Sequence, residues 1–324
     1  MSRLTVRLEH LNPTVGDLQG NARAILDAWR AASQADADVL VLPELVLPGY
    51  PPMDLLDSPA FCERVFETNR WIARQVTGKT ALLFGSLTPS ERPTGRRLHN
   101  SALLAKDGEV VQAVHKTLLP TYDVFDEARY FEPGEAPGCI EVSGRTLGVL
   151  ICEDLFHNVN EPPAPTYPVE PAAACMAQGA EALLVLSASP FTLDKHETRM
   201  RLLKGYARAH RVPLLYCNQV GANTELVFDG DTLAVDAQGD RFAAAEPFEP
   251  SWVDVPLFGQ PAPEPARGGV AEQTASAPGR AVRAARYPDS VPERVFNAIR
   301  LGIRDYFRKT SVSDRAVLGL SGGI

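Results

Sequence analysis

Along the first 255 or so residues, apolar and polar positions switch between two periods. Leu4, Val6 and Leu8 alternate with polar residues, the two-residue period of a strand with one buried face. Over residues 17–35 the apolar side chains fall at Leu18, Ala22, Ile25, Leu26 and Trp29, which is one face of a helix. Val39, Leu40, Val41 and Leu42 form a continuous apolar run that stops at Pro43, the mark of a strand covered on both faces. The pattern continues with a helix over 61–76 and a strand over 80–87. A hairpin over 100–114 turns at Lys106-Asp107-Gly108. Further on come a strand over 146–152, a helix over 171–178, a strand over 182–187 and a helix over 195–210. Strands over 213–217, 225–228 and 232–236 complete the set, with a second turn at Ala237-Gln238-Gly239-Asp240. Strands alternating with helices, with hairpins among them, predict a mixed sheet covered by helices. One doubly wound sheet and a sandwich of two sheets with helices outside both satisfy this periodicity equally.

Residues 258–280 break the pattern. They are rich in Pro, Ala and Gly and nearly free of large apolar side chains, so they predict a mobile linker or exposed loop. A helix is expected next over 291–309, with Val295, Ala298, Ile299, Ile303 and Phe307 on one face. Val317, Leu318, Gly319 and Leu320 then predict a buried strand, followed by Ser321, Gly322, Gly323 and Ile324. A strand running into a glycine-rich turn normally leads into a helix, so the chain is expected to be the front part of a longer protein.

Composition narrows the function classes. The 324 residues are 45% hydrophobic and 22% charged, ordinary for a soluble globular protein. The net charge of −8 repels phosphate backbones and argues against nucleic acid as a partner. Five scattered cysteines without paired spacing support neither a zinc ribbon nor a disulfide framework, and they fit a reducing, cytoplasmic setting. No apolar run is long enough to span a bilayer, and the first residues lack a signal-peptide core, so no membrane association is expected.

The candidate chemistry sits where predicted strands end. Leu147 to Ile151 is an apolar run that ends on Cys152, with Glu153 and Asp154 directly after it. A thiol at a strand tip is rigidly held and can face a pocket, as a nucleophile must; a buried core cysteine is the plain alternative. Glu44 follows the strand at 39–42, and Lys116 follows the hairpin. Taken singly, each would pass for an exposed charge. His115 fits a structural role. Ser187-Ala188-Ser189, after the strand at 182–187, leaves room for a ligand. Together these positions supply a thiol, a carboxylate able to take its proton and an ammonium able to stabilise an oxyanion.

In these motifs the chain resembles the nitrilase superfamily: Glu44 in LPEL, Lys116 in HKTLLP and Cys152 in ICED match its Glu–Lys–Cys triad. Within it, the resemblance is to the glutaminase domains of glutamine-dependent NAD+ synthetases. It rests on Pro48-Gly49-Tyr50-Pro51-Pro52, on residues 122–131 (YDVFDEARYF), on Asn218-Gln219-Val220-Gly221 and on residues 225–230 (ELVFDG). Residues 317–323 are similar to the opening of the pyrophosphatase-type ATP loop of that family.

The resemblance implies an α/β fold: a nitrilase-like four-layer α-β-β-α sandwich over 1–257, a linker over 258–286 and the start of an α/β synthetase domain over 287–324. It implies that Cys152 attacks the glutamine amide, Glu44 is the general base and Lys116 stabilises the tetrahedral intermediate. It implies further that Glu127 orients Lys116 or the substrate, and that Tyr50, Tyr122, Phe125, Glu153, Ser189 and Lys195 line the glutamine pocket. Ser321, Gly322 and Gly323 would belong to an incomplete ATP loop. Glutamine hydrolysis itself then needs no cofactor. The complete enzyme uses ATP and Mg2+, takes deamido-NAD+ as substrate and is a homo-oligomer. A chain ending at Ile324 is expected to hydrolyse glutamine but not to make NAD+.

Three other readings use the same residues: a stand-alone amidase or carbamoylase on another small amide, a catalytically silent module, and a metal site from Cys152, Glu153, Asp154 and His157, which no paired spacing supports.

Overall fold

A computed structural model describes residues 3–156, 167–259, 268–270, 285–313 and 315–319. In chain order the first half contains β1 (Leu4–His10), α1 (Leu18–Gln34), β2 (Val39–Val41), α2 (Pro59–Gln75), β3 (Ala81–Pro89), β4 (Leu98–Lys106), β5 (Glu109–His115), β6 (Gly138–Val142) and β7 (Arg145–Ile151). The second half contains α3 (Pro171–Ala177), β8 (Ala182–Ser187), α4 (Lys195–His210), β9 (Leu214–Asn218), β10 (Val220–Asn223), β11 (Leu226–Asp229), β12 (Leu233–Val235), β13 (Arg241–Ala244), β14 (Ser251–Leu257), β15 (Gly268–Val270) and α5 (Val291–Thr310).

Two sheets form. One has seven strands in the order β15-β14-β1-β2-β3-β4-β5, the other six in the order β13-β12-β9-β8-β7-β6. β1, β2 and β3 run parallel, as do β7, β8 and β9, and the hairpins and outer strands are antiparallel. The sheets pack face to face. Val6, Leu8, Val39, Val41 and Leu83 of the first meet Leu147, Val149, Ile151, Leu184 and Leu186 of the second in one apolar layer. The alternate residues of the same strands point outward. Leu40, Leu82 and Phe84 pack under α1 and α2, and Leu150, Leu183, Val185 and Tyr216 pack under α3 and α4. The result is a four-layer α-β-β-α sandwich. Burial on both faces is why the central strands read as unbroken apolar runs.

Local chemistry sets the element ends. Asp17 caps α1 by accepting from the Gly20 N–H, and Ser58 caps α2 ahead of Pro59. Lys106 pairs with Glu109 across a two-residue turn in which Asp107 (φ 52°) and Gly108 (φ 89°) are both left-handed, the geometry that suits a twisted hairpin.

Three expectations need correction. The linker predicted over 258–286 contains an ordered strand, because Gly268, Gly269 and Val270 pair with β14 at the sheet edge. Its last residues are also packed, with Ala285 buried against the second helical layer; 260–267 and 271–284 lie outside the described residues. α5 forms as expected, but its packed face is different. Arg294, Ala298, Leu301 and Asp305 are buried, while Ile299 and Ile303 are each 57% exposed. The anchor is polar: the Asp305 carboxylate accepts from the Ala222 N–H at 2.8 Å and from Asn12 Nδ2 at 2.7 Å. Finally, 315–319 form no strand, and Val317 and Leu318 are exposed. Among the described residues no strand pairs with them, so this apolar run has no ladder to join. The predicted strands also leave out β6, β10, β13 and β14; β6 and β13 are sheet edges and β10 has four residues, whereas β14 alternates along its length between β15 and β1.

Candidate active site

Glu44 lies just past β2, where the chain crosses tightly over β3. A side chain on Gly85 would meet the Leu45 nitrogen at 2.2 Å and the Glu44 carbonyl carbon at 2.6 Å, so only glycine permits the crossing. The Glu44 side chain is fully buried, and three donors fix it. Oε2 accepts from the Ala188 N–H at 2.9 Å. Oε1 accepts from Asn100 Nδ2 and from Lys116 Nζ, both at 2.7 Å.

Lys116 follows β5 directly, and its N–H donates to the Asn100 carbonyl at 2.8 Å. Its buried ammonium also donates to both oxygens of Glu127 at 2.8 Å. Glu127 sits in a short 3-10 turn and accepts from the Tyr50 hydroxyl at 3.1 Å. Burial alone would lower the ammonium's pKa, but the facing Glu127 and Glu44 carboxylates more than offset it and hold Lys116 well above the usual lysine range. Burial pushes the Glu127 carboxyl up, against the pull of Lys116.

Cys152 follows β7 with a left-handed backbone (φ 44°), so the chain turns sharply and the sulfur stands off the strand tip. Burial first, then the Glu44 charge, pushes its thiol well up, while Lys116 and the Ser187 hydroxyl pull the other way. The resting sulfur is therefore a thiol, and it can attack only by giving up its proton. Asp154 braces the turn. One of its oxygens accepts from the Ile151 N–H at 3.0 Å, and the other accepts from the N–H groups of Thr117 and Leu118 at 3.0 and 2.8 Å. It thereby ties the sulfur-bearing loop to the lysine-bearing loop. Burial pushes its carboxyl up to about 7.

A second group lies near the sulfur. The Tyr122 hydroxyl donates to both oxygens of Glu153 at 3.0 and 3.1 Å, and Tyr167 donates to Glu153 at 2.9 Å. The Phe125 ring meets Tyr122 edge-on at 5.7 Å. Lys195 begins α4, with its ammonium 4.9 Å from the Phe156 ring centre. Burial lowers its pKa, and it feels the fields of Cys152 and Glu153. Ser189 follows β8, and its N–H donates to Asn218 Oδ1 at 2.8 Å.

Glu44, Lys116, Glu127 and Tyr50 thus form one hydrogen-bonded set within the electrostatic reach of Cys152, and Tyr122, Phe125, Glu153 and Lys195 gather beside the same sulfur. Ser321, Gly322 and Gly323 lie outside the described residues, as does His157. The arrangement brings together a thiol, a desolvated carboxylate and an ammonium, with a neighbouring patch of both charge signs that suits a zwitterionic ligand. Sequence reasoning missed Asn100, Tyr167 and the bracing role of Asp154. Asn100 has a faint signal, a lone amide ahead of an apolar strand. His115 is structural as expected: it pairs with Ser101 Oγ at 2.8 Å and stacks on the His99 ring at 4.2 Å.

Residues 5–257 match the sequence model of the carbon-nitrogen hydrolase family. The chain is 38% identical over 323 residues to the glutamine-dependent NAD(+) synthetase of Synechocystis sp., covering 99% of this chain and 55% of that protein. It is 34% identical over 343 residues to the glutamine-dependent NAD(+) synthetase of Thermotoga maritima, covering 100% and 57%. The chain therefore spans a little over half the length of these curated relatives. Among solved structures, the glutamine-dependent NAD+ synthetase from Acinetobacter baumannii matches with a TM-score of 0.77 at 27% identity, over 95% of this chain and 52% of that one. An amidase from Nesterenkonia sp. matches with a TM-score of 0.66 at 30% identity, over 78% and 90%. In a mutant of the Nesterenkonia sp. AN1 amidase (29% identity, TM-score 0.66, over 78% and 90%), the acetamide moiety of fluoroacetamide is covalently added at the active-site cysteine.

Proposed function

Because the chain belongs to the carbon-nitrogen hydrolase family, we propose that it is the glutamine-hydrolysing, ammonia-supplying part of a glutamine-dependent NAD+ synthetase. The observation that carries this reading is the extent of similarity. Likeness to the Synechocystis synthetase continues through 99% of the chain, past the family match that ends at residue 257, whereas the Nesterenkonia amidase covers 78%.

In this proposal Glu44 takes the Cys152 thiol proton as the sulfur attacks the carboxamide carbon of glutamine. The C=O electron pair moves onto oxygen, and the Lys116 ammonium stabilises the oxyanion. Glu44 then returns the proton to the amide nitrogen, the C–N bond breaks, and ammonia leaves a thioester on Cys152. Water, deprotonated by Glu44, attacks the thioester; the C–S bond breaks, the sulfur recovers its proton and glutamate is released. Asn100 and the Ala188 N–H hold Glu44 in place through both half-reactions. Glu44 and Lys116 are held by hydrogen bonds of their own, which supports a reaction that needs little reorganisation. Glu153 and Lys195 meet the α-ammonium and α-carboxylate of glutamine.

ATP, Mg2+ and deamido-NAD+ enter this proposal in the remaining part of such a synthetase. There deamido-NAD+ is adenylated and ammonia displaces AMP. Glutamine hydrolysis uses no residue of the expected ATP loop. Cytoplasmic placement and homo-oligomerisation belong to the same proposal. Among the described residues no helix is long and apolar enough to cross a membrane.

Ammonia release from glutamine, asparagine and simple aliphatic amides tests the reading. Glutamine is expected to be the best substrate, with activity abolished in Cys152→Ala while the fold is kept. A preference for aliphatic amides would replace it with a stand-alone amidase, and undiminished activity in Cys152→Ala would remove the thioester route.

A further inference from the structure

The proposed glutamine pocket has a supporting wall, and part of it comes from beyond the Pro- and Ala-rich stretch. Tyr287 lies just before α5 and is buried. Its hydroxyl donates to Asp229 Oδ2 at 2.8 Å. Asp229 in turn accepts, through both oxygens, from Arg199 Nη1 at 2.8 Å. Arg199 is an arginine with no exposed surface, and its other terminal nitrogen donates to the Ser189 carbonyl at 2.8 Å and reaches the Ser189 hydroxyl at 3.4 Å. The Tyr287 ring also stacks flat on His196, centre to centre at 4.0 Å and 3° from parallel. His196 sits next to Lys195 and pairs with Asp231, which also meets Arg199 at 3.2 Å. One side chain thus touches both supports of the pocket, the ionic cluster under Ser189 and the first turn of α4 under Lys195.

A wholly buried guanidinium–carboxylate cluster is stiff only while its carboxylates keep their donors, because water cannot fill a lost bond there. We propose that Tyr287 is a positioning residue for glutamine: it fixes the Ser189 loop through Asp229 and Arg199, and the Lys195 turn through His196. The inference rests on the glutamine reading given above. It places a determinant of glutamine affinity outside the hydrolase fold proper, on the segment that leads into α5. A substrate with no α-ammonium or α-carboxylate makes no use of either support, whereas glutamine uses both.

The test compares the steady-state kinetics of the full chain with Tyr287→Phe and His196→Asn, on glutamine and on propionamide. Tyr287→Phe keeps the buried ring and removes only its hydroxyl, His196→Asn keeps a polar group toward Asp231 but removes the stacked ring, and both melting temperatures are recorded alongside. The expected result is a rise in KM for glutamine of roughly five- to twentyfold, with kcat lowered by less than that and propionamide kcat/KM unchanged within about twofold. Equal losses on both substrates would mark Tyr287 as merely structural and overturn the inference, as would an unchanged KM for glutamine in both variants. If the unmodified chain turns over propionamide but not glutamine, the glutamine reading itself fails and takes the inference with it. That result is recognised before any variant is measured.

Discussion

Asn100 donates to the same oxygen of Glu44 that Lys116 holds, and its own Oδ1 is buried without a hydrogen-bond partner. A structure keeps such an amide when its N–H2 has a purpose, here to fix a carboxylate that must shuttle protons. A hydrogen bond to a charged group contributes about 1.5–3 kcal/mol. Asn100→Ala is therefore expected to lower kcat/KM by roughly tenfold to a hundredfold and the melting temperature by a few degrees, and a rate within twofold of the original would remove Asn100 from the site. Lys116→Ala carries two consequences. Loss of the oxyanion donor is expected to lower kcat by on the order of a hundredfold or more. The substitution also leaves the buried Glu127 carboxyl, already pushed up by burial, without the ammonium that pulls it down, so the variant's native state holds a proton that its unfolded state does not. Stability then falls as pH rises. The Lys116→Ala melting temperature is expected to climb as pH is lowered from 8 to 6, and a flat or opposite trend would show that the carboxylates are otherwise compensated.

At the scale of elements, the site depends on strand ends more than on helices. β2 and β7 deliver Glu44 and Cys152, the β4–β5 hairpin delivers both Asn100 and Lys116, and the loop after β8 supplies the Ala188 N–H. The weakest geometric tolerance is at Gly85 in β3. A methyl group there collides with the backbone of Glu44 and Leu45, not with a movable side chain, so the Glu44 loop must shift. Misplacement of a catalytic group by about 1 Å can cost on the order of a hundredfold in rate. Gly85→Ala is expected to lower kcat by at least tenfold, and more strongly than it raises KM. A chain that keeps both folding and full activity would mean the crossing is more pliable than this packing implies. α5 illustrates the reverse case, an element that forms as its periodicity predicts yet docks through Asp305 and Lys309 rather than through its isoleucines. The Lys309 ammonium donates to the carbonyls of Pro13 and Ala222, both at 2.9 Å.

Over the whole molecule, His10 joins the two ends of the hydrolase fold. It lies at the end of β1, and its Nε2 donates to the Glu249 carbonyl at 2.8 Å, with the Glu246 carbonyl at 3.1 Å. Burial lowers its pKa from 6.5 to about 4, and burial beside His99 does the same for His115. Below pH 6.5 the unfolded chain takes up protons that the folded chain refuses until about pH 4. The histidines' share of stability is therefore complete above about pH 6.5 and falls as the pH drops through that window, while the raised carboxyls of Glu127 and Asp154 act in the opposite sense. The slope of melting temperature against pH between 4.5 and 6.5 should therefore be smaller in His10→Gln than in the original chain. An unchanged slope would assign the acid lability to other groups.

Much of this molecule was legible in the sequence, because hydrophobic period is local information. A strand or helix must show its buried face every second or every third to fourth residue wherever it ends up, and a residue that follows an apolar run must sit at a strand tip. The element positions and the candidacies of Glu44, Lys116 and Cys152 followed from that, and the short motifs around them resemble one family. Period tells that a face is buried, not what it is buried against. Period left one sheet or two open and the motif resemblance pointed to two; packing paired residues 268–270 with β14 and docked α5 through Ala298, Leu301 and Asp305. It also brought Lys116 against Glu44, 72 residues away in the chain, and gave Asn100 and Asp154 their roles, since a hydrogen bond between distant segments leaves no trace in the spacing of either.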